Sequence, residues 1–545
     1  MKKNTFIEGT LIASIAIIIT KILGVLYVIP FYSIIGEDGG VLYSYAYNIY
    51  NLFLNVSTAG IPTAISMIIS EYTALKMFDA KDRAYKIGKR IIFIISFIAF
   101  LILMIFANSF AGYYIKGITG GNTIEDIALV IRAISLCLLI TPFLSVIRGY
   151  LQGNKFIAPT SISQVIEQVI RIIVILVGSY LAINILHQEV KIGVAIALTG
   201  AFLGGLFAYL YLKIKVNKNK QLFEKTNKKD NITNKEITKK IITYCIPLII
   251  ISIVNNIYDL IDMKLIIKGL YKIGYSAKTS ELISSIIYTW GPKICMIIMA
   301  IAMGLTTSLI PHMVSSYTNN DIKETNRKFN QAISTMIITC LPMAIGLAFL
   351  SKNIYFIFYG ESIYGTSILK CLAIYTIFSG TLLVINTALQ SLQKFKIIYI
   401  NTIVGLLVNT ILDIPMILLL NKIGINPYYG TILASMIGCT TSYIIVLTYL
   451  KKNLKFNYKL IINTITKSII PTLSMIVVLL TLKLIMPINN TLNLLFIIKI
   501  IIYIALGALT YLIISYYNKN LENVFSKEYI DKILYKLHLK KTNQN

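Results

Sequence analysis

The sequence predicts an all-α polytopic membrane protein with about fourteen transmembrane helices, in two parallel six-helix lobes plus two C-terminal helices. Three observations carry this expectation. Apolar segments fill the chain, which is 56% hydrophobic with a mean hydropathy of +0.75. Basic residues crowd into alternate loops. Short motifs recur about 240 residues apart.

A helical crossing takes roughly 20 apolar residues. In chain order, fitting stretches are Thr10–Ile34, Val41–Ile69, Ile91–Ala107, Ile127–Ile147, Ile157–Ile183, Ile192–Leu212, Ile241–Ile267, Leu282–Ile310, Ala332–Leu350, Ser367–Leu389, Ile397–Leu420, Thr431–Leu450, Ser468–Met486 and Leu494–Ile514. Lipid offers backbone groups no hydrogen bonds, so each stretch reads as a helix that satisfies its own. The first run is too long for a cleavable signal and reads as helix 1. So much apolar chain leaves no room for a soluble catalytic domain, and no nucleophile–base pair suggests an enzyme.

The net charge of +28 raises the question of nucleic acid. Its distribution points to topology instead. Lys and Arg gather at Lys2–Lys3, Lys76–Arg90, Arg148–Lys155, Lys213–Lys240, Lys323–Lys328, Lys394–Lys396, Lys451–Lys467 and after Asn518, whereas Gly36–Val41 and Pro487–Thr491 carry no base. This bias predicts that both termini are cytoplasmic. The six cysteines stand singly in apolar segments and the three histidines are scattered, so neither suggests a metal site.

The repeat pairs Leu151-Gln152-Gly153 and Lys155-Phe156 with Leu389-Gln390-Ser391 and Lys394-Phe395. It also pairs Ser70-Glu71-Tyr72-Thr73 with Ser315-Ser316-Tyr317-Thr318. Two copies running the same way imply lobes related by an axis along the membrane normal. The expected organisation is an N-terminal lobe at 1–215 (helices 1–6), a basic cytoplasmic linker at 216–240, and a C-terminal lobe at 241–450 (helices 7–12). Helices 13 and 14 follow at 451–517, then an amphipathic cytoplasmic tail at 518–545 suited to an anionic membrane surface.

A Lys, Arg or Asp at mid-bilayer costs about 2.5–3.5 kcal/mol on insertion scales, so such residues face a partner or a cavity. They include Lys21, Arg132, Glu167, Arg171, Asp259, Asp262, Lys264, Lys293 and Asp413. Glu167 and Arg171 share a helix face at i,i+4 and read as an ion pair. Lys21 and Lys293 fall one in each lobe with no carboxylate a turn away in sequence. They read either as cavity cations for a phosphate-bearing substrate or as structural lysines paired across helices. Asn409 and Asp413 share a face, as do Thr431 and Ser435. With Asp262 they offer hard oxygen ligands for a small cation, or polar glue between helices.

Lys21-Ile22-Leu23-Gly24, Ser57-Thr58-Ala59-Gly60-Ile61-Pro62-Thr63-Ala64-Ile65-Ser66, and Arg148-Gly149-Tyr150-Leu151-Gln152-Gly153 with Pro159-Thr160, Ser163-Gln164, Glu167-Gln168 and Arg171 resemble the MurJ/SpoVB-type flippases. These belong to the multidrug/oligosaccharidyl-lipid/polysaccharide exporter superfamily, and the Arg148–Gly153 block is similar to its Gram-positive branch. Ser308-Leu309-Ile310-Pro311 fits the same pattern. The resemblance implies transport of undecaprenyl-pyrophosphate-linked peptidoglycan precursor (lipid II) by alternating access, with a lipid-tail groove near helices 13 and 14. It implies cationic head-group contacts at Lys21 and Lys293. Leu54 and Asn55 replace paired helix 2 arginines, and Tyr27 another in helix 1, so Asn55 completes the expected substrate set. It also implies a sodium site at Asp262, Asn409, Asp413, Thr431 and Ser435, and a structural role for Arg148, Gly149, Gln152, Gly153, Glu167 and Arg171. Sodium as coupling ion is the only small cofactor expected. Membrane lipids and the cell-wall synthesis machinery are the expected partners, and nucleic acid is not.

The alternatives are export of another lipid-linked polysaccharide, MATE-like drug export, and a non-transporting scaffold for cell-wall or spore-cortex synthesis. Cationic cavity residues speak against a cationic drug, and a scaffold needs none.

Overall fold

The computed structural model describes residues 16, 19–58, 61–219, 221, 230–488 and 491–523; most of the expected tail and linker residues 222–229 lie outside them. The described residues are helical almost throughout and include no strand. Twelve described stretches are long and apolar enough to cross a membrane. One of them, Ile19–Asn55, is broken at Gly36, where φ is 64° and ψ is −168°. Such dihedrals are essentially open to glycine alone. The break falls at the expected turn between helices 1 and 2. Exposed side chains such as Ile411, Ile462 and Leu484 form apolar surface that suits lipid rather than water.

The chain divides into two compact units, Met1–Trp290 and Gly291–Asn545. This division falls within the segment expected as helix 8, not in the 216–240 linker. The first unit contains α1 (Val28–Thr58), α2 (Ile61–Ala74), α3 (Phe78–Ile105), α4 (Ala107–Ile115), α5 (Ile124–Ser135), α6 (Thr141–Gly153), α7 (Ile157–Ile173), α8 (Val190–Lys218), α9 (Asn234–Lys272) and α10 (Ala277–Ser285). The physical reason that α9 joins it is visible at the helix start. Thr233 and Glu236 form a capping box that fixes where α9 begins. Arg83 donates to Ile232 O at 2.7 Å and Asn234 Oδ1 at 3.1 Å, while pairing with Asp79 at 2.8 Å. Lys240 pairs with Glu71 at 2.6 Å. Behind these bonds Ile237 and Ile241 share one buried core with Ile65, Ile69, Leu151 and Leu212.

Small residues set the approach of α8 to α7. A Cβ on Gly200 would lie 2.9 Å from Arg171 O, and one on Gly204 would lie 2.5 Å from Glu167 O. Spaced four apart, the two glycines form a flat strip on α8 that lets the backbones meet.

The second unit contains α11 (Gly291–Thr318), α12 (Ile322–Phe349), α13 (Ser351–Tyr359), α14 (Ile363–Ser391), α15 (Phe395–Lys422), α16 (Tyr429–Leu454), α17 (Lys459–Ile485) and α18 (Leu494–Tyr517). Pro342, Pro415 and Pro471 lie inside helices, a pattern that membrane helices tolerate.

The repeated motifs fold into matching turns. After Gln152, Lys155 takes a φ of 66° and Phe156 N donates to Leu151 O; after Gln390, Gln393 takes a φ of 55° and Lys394 N donates to Leu389 O, so the Leu-Gln halves match while the Lys-Phe halves are one residue out of register. In the other pair, Lys76 and Asn320 have φ of 58° and 57°. There Met77 N donates to Tyr72 O and Asp321 N to Ser316 O, one residue off the register read from the sequence.

The packing of α7 on α8 makes a specific prediction. Gly204→Ala should destabilise the protein by about 1–3 kcal/mol through overpacking. Gly346→Ala, where an added Cβ has nothing within 4 Å, should be neutral or stabilising. Thermal unfolding in detergent checks the pair, and equal melting temperatures for the two variants would contradict this packing.

Candidate functional site

In the first unit α7 delivers charge to membrane depth. Glu167 and Arg171 stand ten and fourteen residues after Ile157, roughly 15 and 21 Å along the helix. Arg171 Nη2 donates to Glu167 Oε1 at 2.6 Å, the expected i,i+4 pair. Arg148 from α6 joins them, with Nη2 3.0 Å from Glu167 Oε2 and Nε donating to Ser163 Oγ at 2.9 Å. Glu167 therefore bridges two guanidinium groups. The partly buried carboxylate thus ties α6 to α7 at this corner. The motif glycines pack closely: a Cβ on Gly153 would lie 2.8 Å from Ser66 O. Gly149 is buried on α6, whereas Gln152 is exposed.

Lys21 is half-buried, and no carboxylate of the described residues lies within ion-pair distance of it. Asn55 does not stand alone. Its Nδ2 donates to Asn256 Oδ1 at 3.1 Å, and Asn256 in turn donates to Ser252 O at 2.6 Å. Asn55 thus ties α1 to α9 through a side-chain bridge. Asp262 is fully buried on α9 in this unit, whereas Asp259 one turn earlier is exposed. Lys264 lies 3.6 Å above the Tyr113 ring, a cation–π contact.

Aromatic rings line the α1 side of the unit. Tyr43 stacks on Tyr47 at 5.5 Å and packs against Trp290 at 5.4 Å. Trp290 is fully buried and donates through Nε1 to Gly40 O at 3.1 Å. A Cβ on Gly40 would lie 2.9 Å from Tyr32 and 3.0 Å from that indole nitrogen, so only glycine fits. Next to it Asn48 Nδ2 donates to Thr289 Oγ1 at 2.9 Å, and Ser44 and Thr289 share a 2.6 Å hydrogen bond.

In the second unit Lys293 is the third residue of α11, and its Nζ is shielded from solvent. Asn409 and Asp413 on α15, and Thr431 and Ser435 on α16, are all buried. The two helices run antiparallel and close together. A Cβ on Gly430 would lie 2.6 Å from Ile417 N, and Ser442 Oγ donates to Asn401 O at 2.9 Å. This register sets Ser435 level with the turn that carries Asn409 and Asp413. Thr431 Oγ1 makes no hydrogen bond there. Oxygen donors with one formal negative charge, sealed from water, are the chemistry a small monovalent cation takes. Of the five expected cation ligands, four lie on α15 and α16 of this unit, and Asp262 lies on α9 of the first.

An apolar cavity of about 600 Å³ also lies in the second unit. Ile298 of α11, Ile338 and Pro342 of α12, Met475 of α17, and Tyr503 and Gly507 of α18 line it. Its chemistry fits a hydrocarbon chain.

Sequence reasoning found the Glu167–Arg171 pair but missed Arg148 as its third member, because helix periodicity carries no signal across a turn. It also missed the Ser44–Asn48–Thr289 cluster. The lone tryptophan, Trp290, is the clue that pointed there.

Comparison with known proteins agrees with this architecture. The family described as Polysaccharide biosynthesis protein matches residues 6–317, and the MatE family matches residues 287–414. The lipid II flippase MurJ of Bacillus subtilis (strain 168) is 29% identical over 468 residues, 84% of this chain and 85% of that protein. Stage V sporulation protein B of the same organism is 24% identical over 420 residues, 75% of this chain and 77% of its own length. A solved lipid II flippase MurJ in an inward closed conformation superposes with a TM-score of 0.66 at 19% identity, covering 94% of this chain and 99% of that one.

Proposed function

Because the chain belongs to the polysaccharide biosynthesis protein family, we propose that it is a flippase that carries a pyrophosphate-linked peptidoglycan precursor, lipid II, across the cytoplasmic membrane by alternating access. The similar proteins named for a function are a lipid II flippase and multidrug resistance transporters, which supports transport rather than catalysis. The observation that carries the reading is positive charge held at membrane depth. Lys21 has no carboxylate of the described residues beside it, and two arginines share a single glutamate. A pyrophosphate balances such charge, whereas a cationic drug adds to it. The apolar cavity beside α17 and α18 supplies the other half of the chemistry, a place for the polyprenyl tail. A flippase for another undecaprenyl-linked glycan would use the same two features. A scaffold would need neither.

Both termini are assigned to the cytoplasm on the loop-charge bias, with the surrounding lipids and the cell-wall synthesis machinery as partners. Sodium bound by Asn409, Asp413, Thr431 and Ser435 is the proposed coupling ion. It drives a conformational change only through unequal affinity for the two states.

Two experiments test these assignments. Lys21→Ala or Lys293→Ala should each abolish complementation of a strain that lacks its own lipid II flippase, with membrane levels of the protein near normal. Full complementation by both single variants would remove the cationic head-group model. For the ion, sodium at a hundredfold excess over its Kd should stabilise the purified protein by about 2.7 kcal/mol relative to choline. Asp413→Asn, which keeps an acceptor but loses the charge, should lose most of that shift. A wild-type melting temperature indifferent to sodium would make the cluster structural polar glue.

A further inference from the structure

The Arg148–Glu167–Arg171 cluster has one more cation than anion. Glu167 is the only carboxylate among the described residues within ion-pair distance of either arginine. Both of its oxygens are taken, one by each guanidinium. The cluster therefore holds a net charge of one positive unit well inside the span, where an unbalanced charge requires a counter-ion or water.

The two arginines are not equivalent. Arg148 is the less exposed, at 15% of its side chain, with its Nε fixed on Ser163 and its buried Nη2 in ion-pair but not hydrogen-bond geometry with Glu167. Arg171 is 28% exposed. Its Nη2 is spent on Glu167, and its Nε is buried without a hydrogen-bond partner. An N–H left in that state is costly unless a ligand or water takes it. The surroundings suit an anion. Tyr27 and Tyr43 hydrogen-bond to each other, and the phenols of Tyr27, Tyr43, Tyr47 and Tyr50 all interact electrostatically with Arg171. Phenolic hydroxyls add neutral donors to the guanidinium without adding negative charge.

We propose that Arg171, braced by Glu167 and faced by Tyr27, Tyr43 and Tyr47, is an oxyanion-binding subsite for the substrate head group, taking a phosphate or a carboxylate. This rests on the flippase reading above and adds a contact on α7, apart from Lys21 and Lys293. The guanidinium binds in a forked, charge-assisted manner and Glu167 positions it. Glu167 also moderates its charge, so that the anion is released after crossing rather than trapped.

The test is equilibrium binding to purified full-length protein in detergent, with melting temperature recorded for each variant. Two probes separate the sources of the anion: undecaprenyl pyrophosphate, and the complete lipid-linked glycopeptide. Arg171→Gln should weaken binding about tenfold, the value of one charge-assisted hydrogen bond, while Arg171→Lys, which keeps the charge but loses the planar fork, should fall between Arg171→Gln and wild type. Glu167→Gln should lower the melting temperature yet tighten binding about threefold or more, because a nearby negative charge is gone. An Arg171 effect on both probes assigns a phosphate, and an effect confined to the glycopeptide assigns a carboxylate; either supports the subsite. If Arg171→Gln binds like wild type, or if both glutamine variants lose affinity together with stability, the cluster is a structural brace and the proposal is overturned. If wild type binds neither probe, the pyrophosphate reading itself fails and the subsite falls with it.

Discussion

A charged side chain in the middle of a bilayer costs about 2.5–3.5 kcal/mol on insertion scales, and the ionisable residues of the spans are arranged around that penalty. Glu167 sits between Arg148 and Arg171, and Lys264 rests on the face of Tyr113. Asp413 is buried on α15, one turn from the equally buried Asn409. The backbone obeys the same rule. Its breaks are short and are placed at glycine, as at Gly36, or in tight turns such as those at Lys155 and Gln393. Polar chemistry is thereby confined to a few points on the helices, and those points carry the functional reading.

The two units divide the chemistry. The first concentrates guanidinium, amide and phenol groups along α1, α7 and α9. The second combines buried oxygen-bearing side chains on α15 and α16 with an apolar cavity against α17 and α18. A lipid-linked phosphorylated sugar asks for both environments, because its head is anionic and its tail is hydrocarbon. Small residues make each close approach: Gly200 and Gly204 seat α8 on α7, and Gly430 seats α16 on α15.

Much of this was legible in the sequence, for identifiable reasons. Apolar length gives helices directly, and Glu167–Arg171 is a local pair that periodicity reveals. The repeat was visible because similar residues build similar turns, although the hydrogen bonds at Met77 and Asp321, and at Phe156 and Lys394, set part of each pair a residue off the aligned register. Asn55, expected as a substrate contact, also bridges to Asn256, a partner about two hundred positions away that no local pattern predicts. Arg148 joins Glu167 only because α6 and α7 fold back on each other. The unit boundary fell at Trp290 rather than in the linker, since Arg83 and Lys240 fasten the start of α9 to the first unit. Long-range contacts of this kind depend on packing, which charge and hydropathy do not encode.

The most direct measurement of the central claim is transport itself. Purified protein reconstituted into liposomes with a fluorescent lipid-linked disaccharide pyrophosphate allows the label in each leaflet to be counted with an impermeant quencher. The account predicts protein-dependent exchange of this lipid between leaflets, and no comparable exchange of a labelled phosphatidylglycerol that lacks the glycan. Equal movement of both lipids, or none of either, would contradict it.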